Sequence, residues 1–266
     1  MTEQAGSYST IQVERRDNGI AILTLNRPEA LNALDSAMAG ELVQQFSDWA
    51  VDPRLRCIVM AASGEKAFCV GADLKERNRL DYEGIRRQHA IFRLFLTIRQ
   101  SLEVPVIAAV QGLALGGGAE IALASDIVYA AEEAEFGLPE IRIGIMPGLG
   151  GTQFLPRIAG RGKAMELLLS GDRIGAGEAR ECGIVSRVYP RAELLASAVA
   201  RAEQIAGMPP LAVRAVRRAV LIGGELDLNS GLAYELALHQ RLMASEDREE
   251  GIRAFVEKRT PIWKGQ

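Results

Sequence analysis

The feature that most constrains this chain is a regular exchange of short apolar segments with amphipathic ones, running from Ile11 to Ala130 and then stopping. Ile11 to Arg15 and Ile20 to Leu25 flank Asp17-Asn18-Gly19, an Asn-Gly hairpin signal. Asp35 stands where a helix cap belongs, and Ala39, Leu42, Val43, Phe46, Trp49 and Ala50 follow at helical spacing until Pro53. Cys57 to Ala61 reads as a buried strand. A second amphipathic helix carries Ile85, Ile91, Phe92, Phe95, Ile98 and Leu102, and Pro105 ends it before the apolar strand Val106 to Val110. A short helix, Gly117 to Ala124, and the strand Ile127 to Ala130 complete the series. Strand-then-helix units of this kind predict an α/β protein with parallel or mixed pairing. From about Ala192 only helices are predicted, over 211–222, 228–245 and 246–259. The division expected is a core over 1–191 and a helical region over 192–266, packed on the core or on a neighbouring subunit.

Residue counts narrow the chemistry. Two histidines, His89 and His239, and three cysteines leave little material for a metal site or a disulfide framework, so no metal is expected. Both histidines read as structural or surface residues, and Cys69 as a small buried residue without a base beside it. The formal net charge of -3 argues against a dedicated nucleic-acid binder. The opening MTEQAGSYST has neither a basic start nor an apolar run, and no stretch approaches the ~20 apolar residues of a membrane span. A cytoplasmic chain with no membrane partner is the expectation.

Carboxylates and backbone amides then become the candidate reagents. In Gln111 to Asp126, three successive glycines, Gly116, Gly117 and Gly118, follow an apolar strand and open a helix. Glycine there lets a ligand approach the backbone, and a helix start presents free N–H groups to an anion or a polarised carbonyl oxygen. Neither a phosphate-binding loop nor a dinucleotide fingerprint fits, because no Lys-Ser or Lys-Thr follows and GxGxxG is absent. Glu120 lies in the first turn of that helix. The simplest role for it is to complement the helix dipole. Glu140 follows Phe136-Gly137-Leu138-Pro139, ahead of the dense Gly/Pro run from Gly144 to Gly151. Two glutamates, each anchored by a rigid glycine-rich element, form a candidate acid/base pair. A third segment, Lys66 to Lys75 (KAFCVGADLK), adds another glycine turn before an acidic, helix-compatible stretch.

Together these segments resemble the enoyl-CoA hydratase/isomerase (crotonase) superfamily over nearly the whole chain. The likeness begins at NRPEALNAL (26–34), runs through FCVGADLKE, GGGAE, FGLPE and GIMPGLGGTQFLPR, and ends at FVEKR (255–259). It implies a spiral of ββα units with a helical C-terminal trimerisation region. It also implies an oxyanion hole made by the backbone N–H groups of Ala72 and Gly117, aimed at the thioester oxygen of an acyl-CoA. Each such donor contributes about 2.7–4 kcal/mol in related sites. Both family glutamate positions are filled, by Glu120 and Glu140. Isomerases typically keep only the second, so the pair implies hydration of a trans-2-enoyl-CoA. Glu120 would orient and deprotonate the water and Glu140 would exchange the proton at C2.

The same resemblance places CoA contacts at Arg27, Ala30, Lys66, Ala72, Asp73, Leu74, Lys75 and Lys258, the last often reaching a neighbouring subunit. It calls for no cofactor beyond the CoA thioester substrate, and for a homotrimer or a dimer of trimers. FCVGADLKERNRL and the ending DREEGIRAFVEKRTPIWKG look most like the branch hydrating branched or methylglutaconyl-type acyl-CoA. An isomerase of the same fold, or a non-catalytic CoA- or RNA-binding member, is the alternative. The arginines Arg86, Arg87, Arg93 and Arg99 are expected on a solvated or intersubunit face.

Overall fold

The computed structural model describes residues 3–4 and 8–266. The N-terminal decapeptide on which the cytoplasmic expectation rests lies in part outside them. Among the described residues no helix is long and apolar enough to cross a membrane.

Among the described residues eleven strands form two sheets. The larger takes β1 (Glu3–Gln4), β2 (Ile11–Arg15), β3 (Ile20–Leu25), β4 (Cys57–Ala62), β6 (Val106–Val110), β8 (Ile127–Ala131) and β11 (Arg187–Tyr189), in that order. The β1–β2 and β2–β3 pairs are antiparallel and the remainder parallel. The smaller sheet has the order β10 (Arg173–Gly175), β9 (Glu135–Gly137), β7 (Leu113–Leu115), β5 (Ala67–Cys69). Successive strands thus alternate between sheets: β4 then β5, β6 then β7, β8 then β9. A helix or irregular segment follows each pair, which is the predicted ββα spiral.

The helices form where capping and periodicity allow. Asp35 caps α1 (Ser36–Ala50) by accepting from the Met38 N–H at 2.8 Å, and Asp81 caps α3 (Tyr82–Ser101) through the Gly84 N–H at 2.7 Å. The buried faces of α1 and α3 meet through Phe46, whose ring packs edge-on against Phe95 with centroids 5.1 Å apart. The central strands β4 and β6 are buried end to end apart from Ala62, as expected of parallel strands covered on both faces. One face looks onto α1 and α3. The other takes Leu194, Ala198, Val199 and Ala202 of α7 (Arg191–Ala206), so the first helix after residue 190 packs directly on the sheet.

The remaining helices are the four-residue α2 (Leu74–Arg77), α4 (Gly117–Leu123), α5 (Gly151–Ser170), α6 (Ala176–Glu181), α8 (Pro210–Leu221), α9 (Leu228–Met243) and α10 (Glu246–Glu257). Asp126, at the start of β8, accepts from the Val106 N–H at 2.8 Å and from Arg217 Nε of α8 at 2.9 Å, joining the C-terminal helices to the core. Arg99 corrects the expectation for the arginines of α3. It is only 2% exposed, with its guanidinium 3.9 Å from Asp126, and burial pushes its pKa down to about 10. Arg86, Arg87 and Arg93 are exposed, as expected of a solvated face.

Candidate active site

Three adjacent parallel strands of the small sheet, β5, β7 and β9, end on the same side and deliver one candidate group each. β5 leads into Gly71-Ala72, β7 into Gly116-Gly117, and β9 into the 3₁₀ turn Pro139–Ile143 that carries Glu140. Ligand sites at the carboxyl ends of parallel strands follow from this directionality.

The first two segments touch. Gly71 adopts φ +85°, and a Cβ on it would lie 2.9 Å from the Gly117 nitrogen. Leu34 bridges to this segment, donating to the Gly71 carbonyl at 2.8 Å and accepting from the Asp73 N–H at 2.9 Å. The intervening Ala72 N–H takes no part in the bridge. Gly117 opens α4, so its N–H has no intrahelical acceptor. Gly118 is fixed by packing, since a Cβ there would fall 2.0 Å from the Cys69 carbonyl oxygen. The Ala72 and Gly117 amides therefore stand on adjacent segments in close contact. Cys69 itself is wholly buried, and burial pushes its thiol up to about 12, which leaves it protonated.

Glu120 is only 2% exposed. Its carboxylate does not turn back to the amides of its own helix, as a dipole-complementing residue would. Oε1 instead accepts from the Leu149 N–H at 2.6 Å and the Gly151 N–H at 2.8 Å, in the Gly/Pro-rich loop before α5. Burial is the larger influence and raises its pKa, while the amides of Gly151, Leu149 and Gly148 oppose the rise. Desolvation therefore outweighs these hydrogen bonds.

Glu140 lies against the glycine triplet, with Oε1 3.1 Å from where a Gly116 Cβ would stand. Its Oε2 is buried and has no hydrogen-bond partner among the described residues. Burial first, and the charge of Glu120 second, push its pKa up to about 7, against the pull of its own backbone amide. The two carboxyls thus have unlike surroundings: Glu120 is ringed by donors, and Glu140 has an orphaned oxygen suited to carrying a proton.

Ala72, Gly117, Glu120 and Glu140 all line one open cavity of about 360 Å³. Its other walls are mainly apolar, with Leu34, Leu74, Phe92, Ile143, Ile145, Met146 and Leu149. Residue spacing missed three polar contributors, Arg77, His89 and Arg142, the last paired with Asp172 at 2.7 Å. Arg77 shares the inner face of α2 with Leu74, three residues back, whereas Lys75 projects elsewhere. His89 is one turn from Phe92 on α3, and that i, i+3 spacing was the available signal.

The sequence pattern of the family described as Enoyl-CoA hydratase/isomerase matches residues 15–266. The chain belongs to the enoyl-CoA hydratase/isomerase family. It is 42% identical over 254 residues to the 2,3-dehydroadipyl-CoA hydratase of Escherichia coli K12, covering 94% of this chain and 97% of the relative. It is 39% identical over 259 residues to the mitochondrial enoyl-CoA hydratase of Pongo abelii, covering 97% and 88% respectively. A crystal structure of an enoyl-CoA hydratase from Bacillus anthracis superposes with a TM-score of 0.95 at 41% identity, over 97% of this chain and all of that one.

In this enoyl-CoA hydratase/isomerase chain the residues expected to hold CoA fall into two groups. Lys66, Lys75 and Lys258 are exposed cations, and Lys258 ends α10 in the left-handed region (φ +55°). Leu74 is half exposed beside the cavity. Arg27 and Asp73 are engaged with the protein. Arg27 NH2 pairs with Asp73 at 3.0 Å and Asp35 at 3.2 Å, and NH1 donates to the Ala33 carbonyl at 2.6 Å. Asp73 also caps α2 through the Lys75 and Glu76 amides. This pair clamps the loop bearing Ala30 to the Ala72 segment.

Proposed function

We propose that this chain is a hydratase of trans-2-enoyl-CoA thioesters. The observation that carries the reading is that Ala72 and Gly117 line a single cavity together with two carboxyls of unlike environment. The thioester oxygen accepts from the two amides, which stabilise the enolate charge that develops as water adds to C3. Glu120, held by the Leu149 and Gly151 amides, orients and deprotonates the water, and Glu140, whose raised pKa keeps it protonated below about 7, supplies the proton to C2. Reversal gives dehydration. None of these steps calls for a cofactor.

The CoA phosphates are assigned to Lys66, Lys75 and, across a subunit boundary, Lys258. Arg27 acts on them indirectly, by holding Asp73. A subunit contact through the C-terminal helices, as a trimer would make, is supported by the apolar stripe Leu228, Leu232 and Leu236 along α9, each more than half exposed. For the acyl group, Arg77 favours a tail ending in a carboxylate. Its Nε donates to Gln88 at 3.3 Å, no carboxylate lies within 4 Å of its guanidinium among the described residues, and burial lowers its pKa. The neighbouring Glu76 is occupied with the Ser36 N–H and Gln88. A half-buried guanidinium with a free fork on an acyl cavity suits a carboxylate partner, as in a glutaconyl- or dehydroadipyl-type thioester.

The test is direct. Purified protein is expected to bleach the conjugated thioester absorbance of crotonyl-CoA and of carboxylate-tailed enoyl-CoA. Full activity in Glu120→Gln or Glu140→Gln would contradict the role given to that residue.

A further inference from the structure

His89 lies on α3, distant in sequence from both glutamates, and its ring forms part of the cavity wall. What it meets there is Gly148. A Cβ on Gly148 would stand 2.6 Å from His89 Nε2, so the imidazole occupies the space any other residue at 148 would need. The ring nitrogen lies against the Gly148 backbone, and that neighbour favours its protonated form, which points to the Gly148 carbonyl as the partner of Nε2. Burial is the larger influence and lowers the imidazole pKa, and Arg77 and Arg93 push it the same way. Near neutral pH the ring is therefore an uncharged donor.

That carbonyl belongs to a particular peptide. The Gly148 C=O and the Leu149 N–H are two ends of one planar unit, and this N–H makes the 2.6 Å bond to Glu120 Oε1. Holding the oxygen fixes where the N–H points. Drawing electron density toward the oxygen also makes the N–H a better donor, because chained hydrogen bonds polarise one another. The Gly151 N–H, on the same carboxylate oxygen, has no comparable support from α3.

We propose that His89 is a positioning residue for Glu120, acting through the Gly148–Leu149 peptide to aim and polarise the N–H that holds the carboxylate. This deepens the hydratase reading and rests on it for its kinetic consequences. The charged groups near the two ends of the chain of bonds are Arg77 on α2 and Arg93 on α3 beside His89, and Glu140 beside Glu120.

The experiment compares the wild type with His89→Phe, which keeps a ring against Gly148 but has no donor, and His89→Gln, whose amide N–H reaches about the same point as Nε2. Carbon-13 NMR of carboxyl-labelled glutamate, with the Glu120 signal assigned by its loss in Glu120→Gln, reads the charge state without turnover. The Glu120 titration midpoint is expected to rise by about 0.5–1 pH unit in His89→Phe and to return most of the way in His89→Gln. The acid limb of kcat/KM for crotonyl-CoA is expected to move with it, with little change in KM. An unchanged midpoint in His89→Phe, or an equal shift in His89→Gln, would overturn the proposal. A wild type without hydratase activity would instead refute the functional reading, and the titration would still decide the role of His89.

Discussion

Gly71 and Gly117 face each other so closely that a Cβ on Gly71 would lie 2.9 Å from the Gly117 amide nitrogen, the atom assigned to the oxyanion hole. The φ of +85° at Gly71 independently disfavours any side chain. Gly71→Ala must therefore push the two donor segments apart. We expect kcat/KM to fall by about 100-fold, comparable to the loss of one oxyanion donor. Urea unfolding should show a loss of about 1–3 kcal/mol.

The two carboxyls should be separable by substitution. Glu120→Gln and Glu140→Gln are each expected to lower kcat by about 10²–10⁴-fold, the range of general acid–base catalysis. Binding of a saturated acyl-CoA, measured by calorimetry, should change little, because neither side chain is assigned a contact with CoA.

The pH profile of hydration follows from the same pair. Activity requires Glu120 charged and Glu140 protonated, so kcat/KM should be bell-shaped, with an alkaline limb near the Glu140 value of about 7. The limbs belong to the pair rather than to either residue alone. Stability gives an independent check. The folded pKa of Glu140 lies above its ordinary value of 4.5, so its contribution is fully present below that value and is lost as pH rises toward 7. Relative to the wild type, Glu140→Gln should gain about 1–2 kcal/mol in urea unfolding between pH 4.5 and 7, a figure reduced for the carboxyl's partial exposure.

Arg77 should govern the choice of acyl tail. Replacing it with Met removes the free guanidinium fork while keeping the stem that packs beside Leu74. Turnover of a carboxylate-tailed enoyl-CoA is expected to fall by about 10–100-fold, the equivalent of a charge-assisted hydrogen bond. Crotonyl-CoA should be hydrated as before. Equal losses on both substrates would assign Arg77 to CoA or to the fold instead.

How far the site was legible in the sequence depended on the range of the interactions. Asp35 as a cap, the Asn-Gly hairpin and β6 are local features, and each lies where capping and periodicity put it. The GGGAE segment announced a ligand-facing helix start for the same reason. The small sheet was illegible because β5, β7 and β9 are three residues each, too short for an alternation to register. The helix α5 was hidden by Pro156 and by Gly160, which breaks helical geometry within it at φ +77°. Glu120 looked like a dipole partner because its true donors, Leu149 and Gly151, lie 29 and 31 residues onward. Arg99 looked solvated because its counter-charge, Asp126, comes from another turn of the spiral. Family resemblance supplied the pairing of Ala72 with Gly117 that local reasoning alone did not.

The proposed reaction adds water across the double bond. It is tested most directly by incubating purified protein with crotonyl-CoA in water carrying heavy oxygen and weighing the product. A thioester heavier by one labelled water, with the label on C3, is expected from the wild type and is expected to be nearly absent with Glu120→Gln. A product of unchanged mass with a displaced double bond would contradict it, as would unaltered crotonyl-CoA and unaltered carboxylate-tailed enoyl-CoA.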